Sequence, residues 1–404
     1  MEADSLVRLC LEPSELIRIG EGKDDAVEDM SRQNSTTRGT YWPPLPAVPI
    51  GLEQRTAATG SRDWPNLQTR QCFTLFTVTL NISEPDQHIE NFMAVFNLTP
   101  SGPSTFLLMG IPGLEAAHIW ISIPFAMFYI IGLLENVTVL FVVSKEQTLH
   151  KPMYLLLCML ALTDISMSTS IVPKALCIFW FDLKDITVAG CLTQTFFLHV
   201  VAVMNSTVLV TMAFDRYVAI CNPLRYATIL TNARIAKLGF VGLIKAVLFI
   251  LPLPLLLSRL PFCANRVIPH THCEPVAVAK ISCGDITVNR MYGLVIVFVV
   301  VGFDLMLIVL SYSLIIRALL RINSKKAHQK ALNTCTAHIC VMLMSYTPGL
   351  FSPLMHRFGQ GIAPHVHIIL ADLYFLIPPM LNPIIYGVKT KELRDKVGKY
   401  TCRM

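Results

Sequence analysis

The chain has 404 residues, of which 53% are hydrophobic and only 15% charged, with a formal net charge of +6 and a mean hydropathy of +0.54. So much apolar and so little charged material excludes an ordinary soluble domain and reads as a membrane protein.

Residues 1–92 are of a different material. They hold 14 Asp and Glu against 8 Lys and Arg, several prolines and no long apolar run, the composition of an acidic, disordered extension. The run CFTLFTVTL at 72–80 is short and has no basic flank at its start, so it is no secretory signal, and the first membrane helix is expected to serve as the targeting signal. Met93 opens a compact leader, MAVFNLTPSGPSTFLLMGIPGLE, that would serve as a start by itself. The preceding residues are then expected to be an alternative translation product. The leader, 93–118, carries a glycosylation sequon at Asn97-Leu98-Thr99.

Seven runs long enough to cross a bilayer follow, at 119–143, 154–178, 192–217, 236–257, 291–318, 332–355 and 366–388. They predict an all-α, seven-transmembrane helix bundle over 119–388 with a short tail at 389–404. Ionisable side chains inside such runs are expensive and point to function. In chain order they are Glu135, Asp164, His199, Lys245, Asp304, His338 and Asp372. Asn136, Asp164 and Asn382 fall at similar depth in the first, second and seventh runs. They form either a polar cluster for water or a cation, or a set of hydrogen bonds that fixes helix packing. The third run ends abruptly in Asp215-Arg216-Tyr217 before breaking at Asn222-Pro223. In the seventh, Pro383 frees a backbone carbonyl and predicts a hinge or a static kink. The sequons at Asn136 and Asn205 lie inside spans and should be silent.

Basic residues gather after the first, third and fifth runs and in the tail, which places those segments and the C-terminus in the cytoplasm, with the N-terminus outside. Topology then sorts the cysteines. Cys191, Cys263, Cys273 and Cys283 lie on the oxidising side and predict two disulfides, in any of three pairings. The others, Cys158, Cys177, Cys221, Cys335, Cys340 and Cys402 with Cys10 and Cys72, are expected to be free thiols. His270, His272 and Cys273, with His356, His365 and His367 near the next outer link, are of metal-ligand type. The simpler reading gives Cys273 to a disulfide and the loop histidines to solvent, so no metal is expected.

Five motifs then converge. MAFDRYVAICNPLRY at 212–226, KPMYLLLCMLALTD at 151–164, Ser311-Tyr312, KALNTCTAHICVM at 330–342 and PPMLNPIIYG at 378–387 resemble the signature set of vertebrate odorant receptors in the rhodopsin-like G-protein-coupled class. IPGLE at 111–115, the long cysteine-rich loop and HRFG at 356–359 resemble its class I, or fish-like, branch. The resemblance covers about residues 97–397 and says nothing of 1–92. It implies a plasma-membrane receptor coupled to a heterotrimeric G protein of the stimulatory, olfactory type that raises cyclic AMP. Arg216 would be held near Asp215 at rest and released toward the G protein. A screened pair at the membrane boundary, worth about 0 to 1 kcal/mol, would be easily switched. Tyr312 and Tyr386, with Asn382-Pro383, would stabilise the active arrangement, and the bridges would be Cys191–Cys273 and Cys263–Cys283.

In such a bundle a small ligand lies between helices three, five, six and seven near the outer face. His199, eight residues inward from Cys191, sits roughly 12 Å deep, with Phe196 and Val203 flanking it. Arg357 is the sole Lys or Arg between 331 and 388, and class I receptors recognise polar odorants such as short carboxylic acids. The expectation is that Arg357 pairs with a ligand carboxylate while His199 donates a second hydrogen bond. Two departures from the family pattern stand out: Glu135 where Gly is usual, and Pro275 where many class I receptors have His. A receptor for a non-odour metabolite would share the same fold. A transporter would need polar pathway residues on several helices or inverted repeats, and an enzyme a convergent catalytic set. Neither pattern is present, so the chain is expected to be no enzyme, to carry no catalytic residue or cofactor, and to engage odorant, G protein and bilayer, with no nucleic acid.

Overall fold

Apolar runs too long for a soluble core become helices because a bilayer leaves no other way to satisfy the backbone. The computed structural model describes residues 104–262, 266–321, 329, 332, 335–347 and 363–401. Its long helices are α1 (His118–Lys145), α2 (Pro152–Phe181), α3 (Val188–Cys221), α4 (Asn232–Ile250, continued by Pro252–Ser258), α5 (Thr287–Leu319), α6 (Cys335–Thr347) and α7 (Pro364–Lys389), followed by the amphipathic α8 (Lys391–Thr401). All but α6 and α8 are long and apolar enough to cross a membrane. The described part of α6 is shorter than the run at 332–355, the rest of which lies mostly outside the described residues. Each of the other helices includes its expected run and extends it by a few residues, because the polar caps lie beyond the apolar stretch. Thr187 accepts from Gly190 N–H at 3.0 Å and Thr231 from Arg234 N–H at 3.3 Å, opening α3 and α4. Asp182 closes α2 in the left-handed conformation, φ 54°.

Burial separates the helices into two kinds. In α2 and α3, 67% and 61% of the apolar window is buried, against 28% in α1 and 22% in α5. So α2 and α3 form the centre, while exposed Trp120, Leu134, Phe298 and Val309 on the outer helices make a lipid-facing surface. Where α1 meets α7, the approach is close: a Cβ on Gly132 would stand 3.3 Å from Met380 N.

The leader and the loops between spans are not loose at one end of the bundle. There β1 (Thr105–Leu108) pairs antiparallel with β2 (Asp185–Thr187) and parallel with β3 (Val267–Ile268), in the order β2-β1-β3. Phe106, Leu108 and Ile268 point into an apolar cluster with Phe125, Ile178 and Leu257. Cys191 of α3 is bridged to Cys273 of the loop, with Cα atoms 5.4 Å apart. Cys283 is also disulfide-bonded, and so is Cys177, contrary to its expected free thiol. Cys177 lies in the last turn but one of α2, at this same end, so the sorting by compartment should have included it. Cys263 lies outside the described residues, as does Asn97. Cys158, Cys221, Cys335 and Cys340 are free thiols. This is called the disulfide end below, and the opposite end, where α3 finishes, the Arg216 end.

Candidate functional site

A cavity of about 510 Å³ opens toward the disulfide end between α3, α4, α5, α6 and α7, within the size range of small-molecule sites. His199 and Val203 line it, as expected. His199 Nδ1 is 2.7 Å from Thr195 O, one turn back, so a neutral ring donates there and presents Nε2 as an acceptor. Phe196 does not line the cavity. It packs with Val200, Val203, Ala246 and Ile250 against α4, at the edge of the stripe that carries Val203. Arg357 lies outside the described residues. Cations missed by the sequence reading do line the cavity: Lys280 and Arg290, with Pro275 and Glu274 between loop and bundle. Glu274 caps the short helix Pro275–Lys280 by accepting from Ala277 N–H, and burial pushes its pKa up. His272 also borders the cavity, and burial, with His199 and His367 nearby, lowers its pKa to about 3, so it is neutral.

The cavity floor is polar and closed upon itself. Ser206 of α3 donates to Asp304 Oδ2 of α5 at 2.6 Å, and its oxygen lies 2.7 Å from the Tyr346 hydroxyl of α6. The serine proton is committed to the carboxylate, so Tyr346 is the donor of the second bond. Lys245 of α4 completes the set, its Nζ 3.0 and 3.1 Å from the two Asp304 oxygens. Four helices thus converge on one carboxylate. Asp304 and Lys245 were visible in the sequence as costly intramembrane charges; that they are partners was not.

The expected Asn136–Asp164–Asn382 cluster is rearranged. Asn382 donates to Asp164 Oδ2 at 2.9 Å, but the second amide on the carboxylate is Asn205, at 3.3 Å from Oδ1. Asn136 instead donates to the carbonyls of Gly132 and Pro379, at 2.8 and 2.7 Å. The reason is local: Pro383 has no N–H to give the carbonyl four residues before it, Pro379, and Asn136 takes the vacated acceptor. All three residues border a cavity of about 10 Å³, room for roughly one water. The neighbouring Glu135 has Oε2 buried with no hydrogen-bond partner.

At the Arg216 end, the expectation of a screened surface pair fails for Asp215. Its side chain is 2% exposed, and its short bond is from the Tyr226 hydroxyl at 2.7 Å, whereas Arg216 Nε stands 3.8 Å away. Tyr226, in the connection after α3, is therefore the tighter partner and went unnoticed in the sequence. Tyr217 is half-buried against the same apolar core as Tyr312 and Tyr386. The Tyr312 hydroxyl lies 2.7 Å from His338 Nδ1 of α6, and the Tyr386 hydroxyl is buried with no hydrogen-bond partner.

Comparison with known proteins settles the family. The olfactory receptor family model matches residues 125–404. Human olfactory receptor 52N4 is 51% identical over 306 residues, 76% of this chain and 95% of its own length. Human olfactory receptors 52P1 and 52D1 are 52% and 50% identical over 301 and 298 residues, each covering 74% of this chain and 94% of the relative. The chain belongs to the olfactory receptor family.

As an olfactory receptor it is a rhodopsin-like, seven-transmembrane, multi-pass membrane protein and not an enzyme, and its likeness to the 52 group is consistent with the class I branch. Odorant binding and G-protein coupling belong to that family. One continuous helix joins the two: α3 lines the cavity from Leu198 to Leu209 and carries the Asp215-Arg216-Tyr217 segment less than two turns further on.

Proposed function

We propose that the receptor binds small odorants bearing one polar group, short carboxylic acids among them, in the 510 Å³ cavity, and that occupancy is passed to a stimulatory G protein that raises cyclic AMP. The observation that carries this reading is the cavity floor: Ser206 and Tyr346 border the ligand space and are bonded into the Asp304 network. A ligand pressing on Tyr346 or competing for its hydroxyl shifts α6 relative to α3, and α6 also carries His338, the partner of Tyr312. At the far end Arg216 leaves a long contact with Asp215, while Tyr226 keeps that carboxylate satisfied.

In this reading an acid's carboxylate meets the cationic side of the cavity, Arg290 and Lys280, and turns away from Glu274; Arg357, outside the described residues, is kept as a proposed anchor from the sequence alone. His199 Nε2 accepts from ligands that carry a proton, a change from the donor role expected of it. The disulfide end faces outward and the tail inward, consistent with the distribution of bases. The receptor unit comprises the leader at 93–118, the bundle at 119–388 and the tail at 389–404, with 1–92 an extension outside it.

The test is cyclic AMP in cells expressing the chain with an olfactory G protein, challenged with carboxylic acids and matched alcohols. Arg357→Ala and Arg290→Ala are compared at equal surface levels. Acid responses weakened about tenfold or more in either variant, with alcohol responses kept, are the expected result; a charge-assisted hydrogen bond is worth roughly 1.5 to 3 kcal/mol. Acid responses unchanged in both variants would remove the carboxylate anchor.

A further inference from the structure

The two loop histidines assigned to solvent by their sequence context are among the most buried polar side chains of the molecule, His270 at 2% and His272 at 3% exposure. They face Asp372 of α7, which is 1% exposed. One ligand-capable atom from each of the three lies within 4.8 Å of the others. Between them stands Thr271, whose hydroxyl donates to Asp372 Oδ1 at 2.6 Å, while His272 Nδ1 is 3.5 Å from the same oxygen. The other carboxylate oxygen, Asp372 Oδ2, is buried and has no hydrogen-bond partner. A buried carboxylate left half-satisfied is costly unless a cation meets it.

We propose that His270, His272 and Asp372 form a binding site for a divalent transition-metal ion, zinc in the first instance. Two imidazoles and a carboxylate are a donor set that zinc accepts, with three protein ligands and one open position. Coordination takes both imidazoles in their neutral form, so metal binding would release any proton they hold. Zinc–ligand distances of about 2.0 to 2.2 Å put tetrahedral donors roughly 3.3 Å apart, so the three side chains close on the ion by about 1.5 Å from their present spread. His272 also borders the odorant cavity, and the open position stands beside it, where a ligand with a thiolate, amine or carboxylate could reach the metal.

The backbone is built to hold such a site. Cys273, next to His272, is bridged to Cys191, its carbonyl accepts from Thr195 at 2.9 Å and its N–H donates to Gln194 at 3.0 Å. The histidines are therefore fixed to α3, while Asp372 belongs to α7. An ion held by all three ties α7 to α3 at the mouth of the cavity, so metal would both stabilise the bundle and alter the ligand site.

The test uses the full chain with its disulfides intact, purified in lipid nanodiscs, stripped of metal and titrated with Co²⁺ as a visible stand-in for Zn²⁺. One equivalent giving the absorption of a four-coordinate site, displaced by Zn²⁺, and a Zn²⁺-dependent rise in Tm are expected. Asp372→Asn keeps the size and the acceptor for Thr271, and it, like His270→Ala, should lower affinity at least tenfold. His150→Ala, at the Arg216 end, should bind as the native chain does. Absence of stoichiometric Co²⁺ absorption in the native chain would overturn the proposal by itself. So would binding unchanged in both Asp372→Asn and His270→Ala. The readout is metal binding, so it holds or fails independently of which odorant activates the receptor.

Discussion

Asp164 and Asp304 are both buried carboxylates inside the helix bundle, at 1% and 2% exposure, and both accept a hydrogen bond from α3, at 3.3 Å from Asn205 and 2.6 Å from Ser206. Their remaining partners differ in kind. Asp164 is met by neutral amides, Asn205 and Asn382, beside a cavity of about 10 Å³. Asp304 is met by a lysine ammonium and a serine hydroxyl, beneath a cavity of about 510 Å³. A carboxylate with a counter-ion is fixed by that ion, and its loss strands a charge. One held by amides can change its protonation or take up water at smaller cost. The contrast assigns rigidity to the α3–α4–α5 side of the bundle and adaptability to the α1–α2–α7 side, where three prolines interrupt α7.

The largest expected effect comes from breaking the ion pair on one side. Asp304→Asn leaves Lys245 facing a neutral amide. Stranding a buried partner costs about 3 to 5 kcal/mol, and the 27% exposure of the lysine side chain places this case near the low end. Thermal midpoint and surface abundance should both fall sharply. Adding Lys245→Met to Asp304→Asn should recover most of the loss, because Asn still accepts from Ser206. A single variant as stable as the native chain would mean that the pair contributes nothing.

Asp164→Asn should cost less, about 1 to 3 kcal/mol, since no cation is stranded and one amide donor merely loses its acceptor. A loss equal to that of Asp304→Asn would dissolve the distinction and point to a cation resident at Asp164. Smaller still, Tyr346→Phe removes one neutral hydrogen bond, about 1 kcal/mol. It should leave surface levels near native while shifting the concentration dependence of the cyclic AMP response, since it cuts the link from cavity floor to α6. An unchanged response curve would separate the floor network from signalling.

These contrasts show what a one-dimensional reading can reach. The spans were legible because apolar length is written locally, and the intramembrane charges were legible because each is anomalous where it stands. Pairings were not, because the register between helices is set by packing far along the chain. Lys245 and Asp304 are 59 residues apart, and nothing in either neighbourhood names the other. Asn205 was read as a silent sequon, and its role on Asp164 could have been suspected from its place on the cavity-facing stripe of α3. Asn136 misled in the opposite sense: its depth matches Asp164, yet the carbonyl vacated by Pro383 is the stronger attraction, and that signal was present in the sequence. Phe196 was misplaced because spacings of three and four define a broad stripe, and α4 covers its edge. Burial of His270 and His272 depends on a strand pairing, β1 with β3, that their own segment does not announce.

A third carboxylate, half-buried outside the spans and met by partly exposed lysines, sharpens the comparison. Glu146, just past α1, accepts from Lys396 at 2.5 Å, Lys399 at 3.2 Å and Tyr400 at 3.1 Å, fastening α8 to the bundle. The bonds from Lys396 and Lys399 hold its pKa down to about 2, below the ordinary 4.5. A carboxylate depressed by folding contributes stability that is fully present above its unfolded pKa and lost as pH falls toward the folded value. The window therefore runs from about pH 4.5 down to about pH 2. The stability difference between the native chain and Glu146→Gln, measured by denaturation, should be constant above pH 5 and shrink through that window. It should also shrink in concentrated salt, because ions reach this site, whereas the effect of Asp304→Asn should barely respond. A Glu146→Gln difference independent of both pH and salt would show that α8 is held by the packing of Val397 and Tyr400 against the apolar core, and that ion pairing matters to this receptor only where water is excluded.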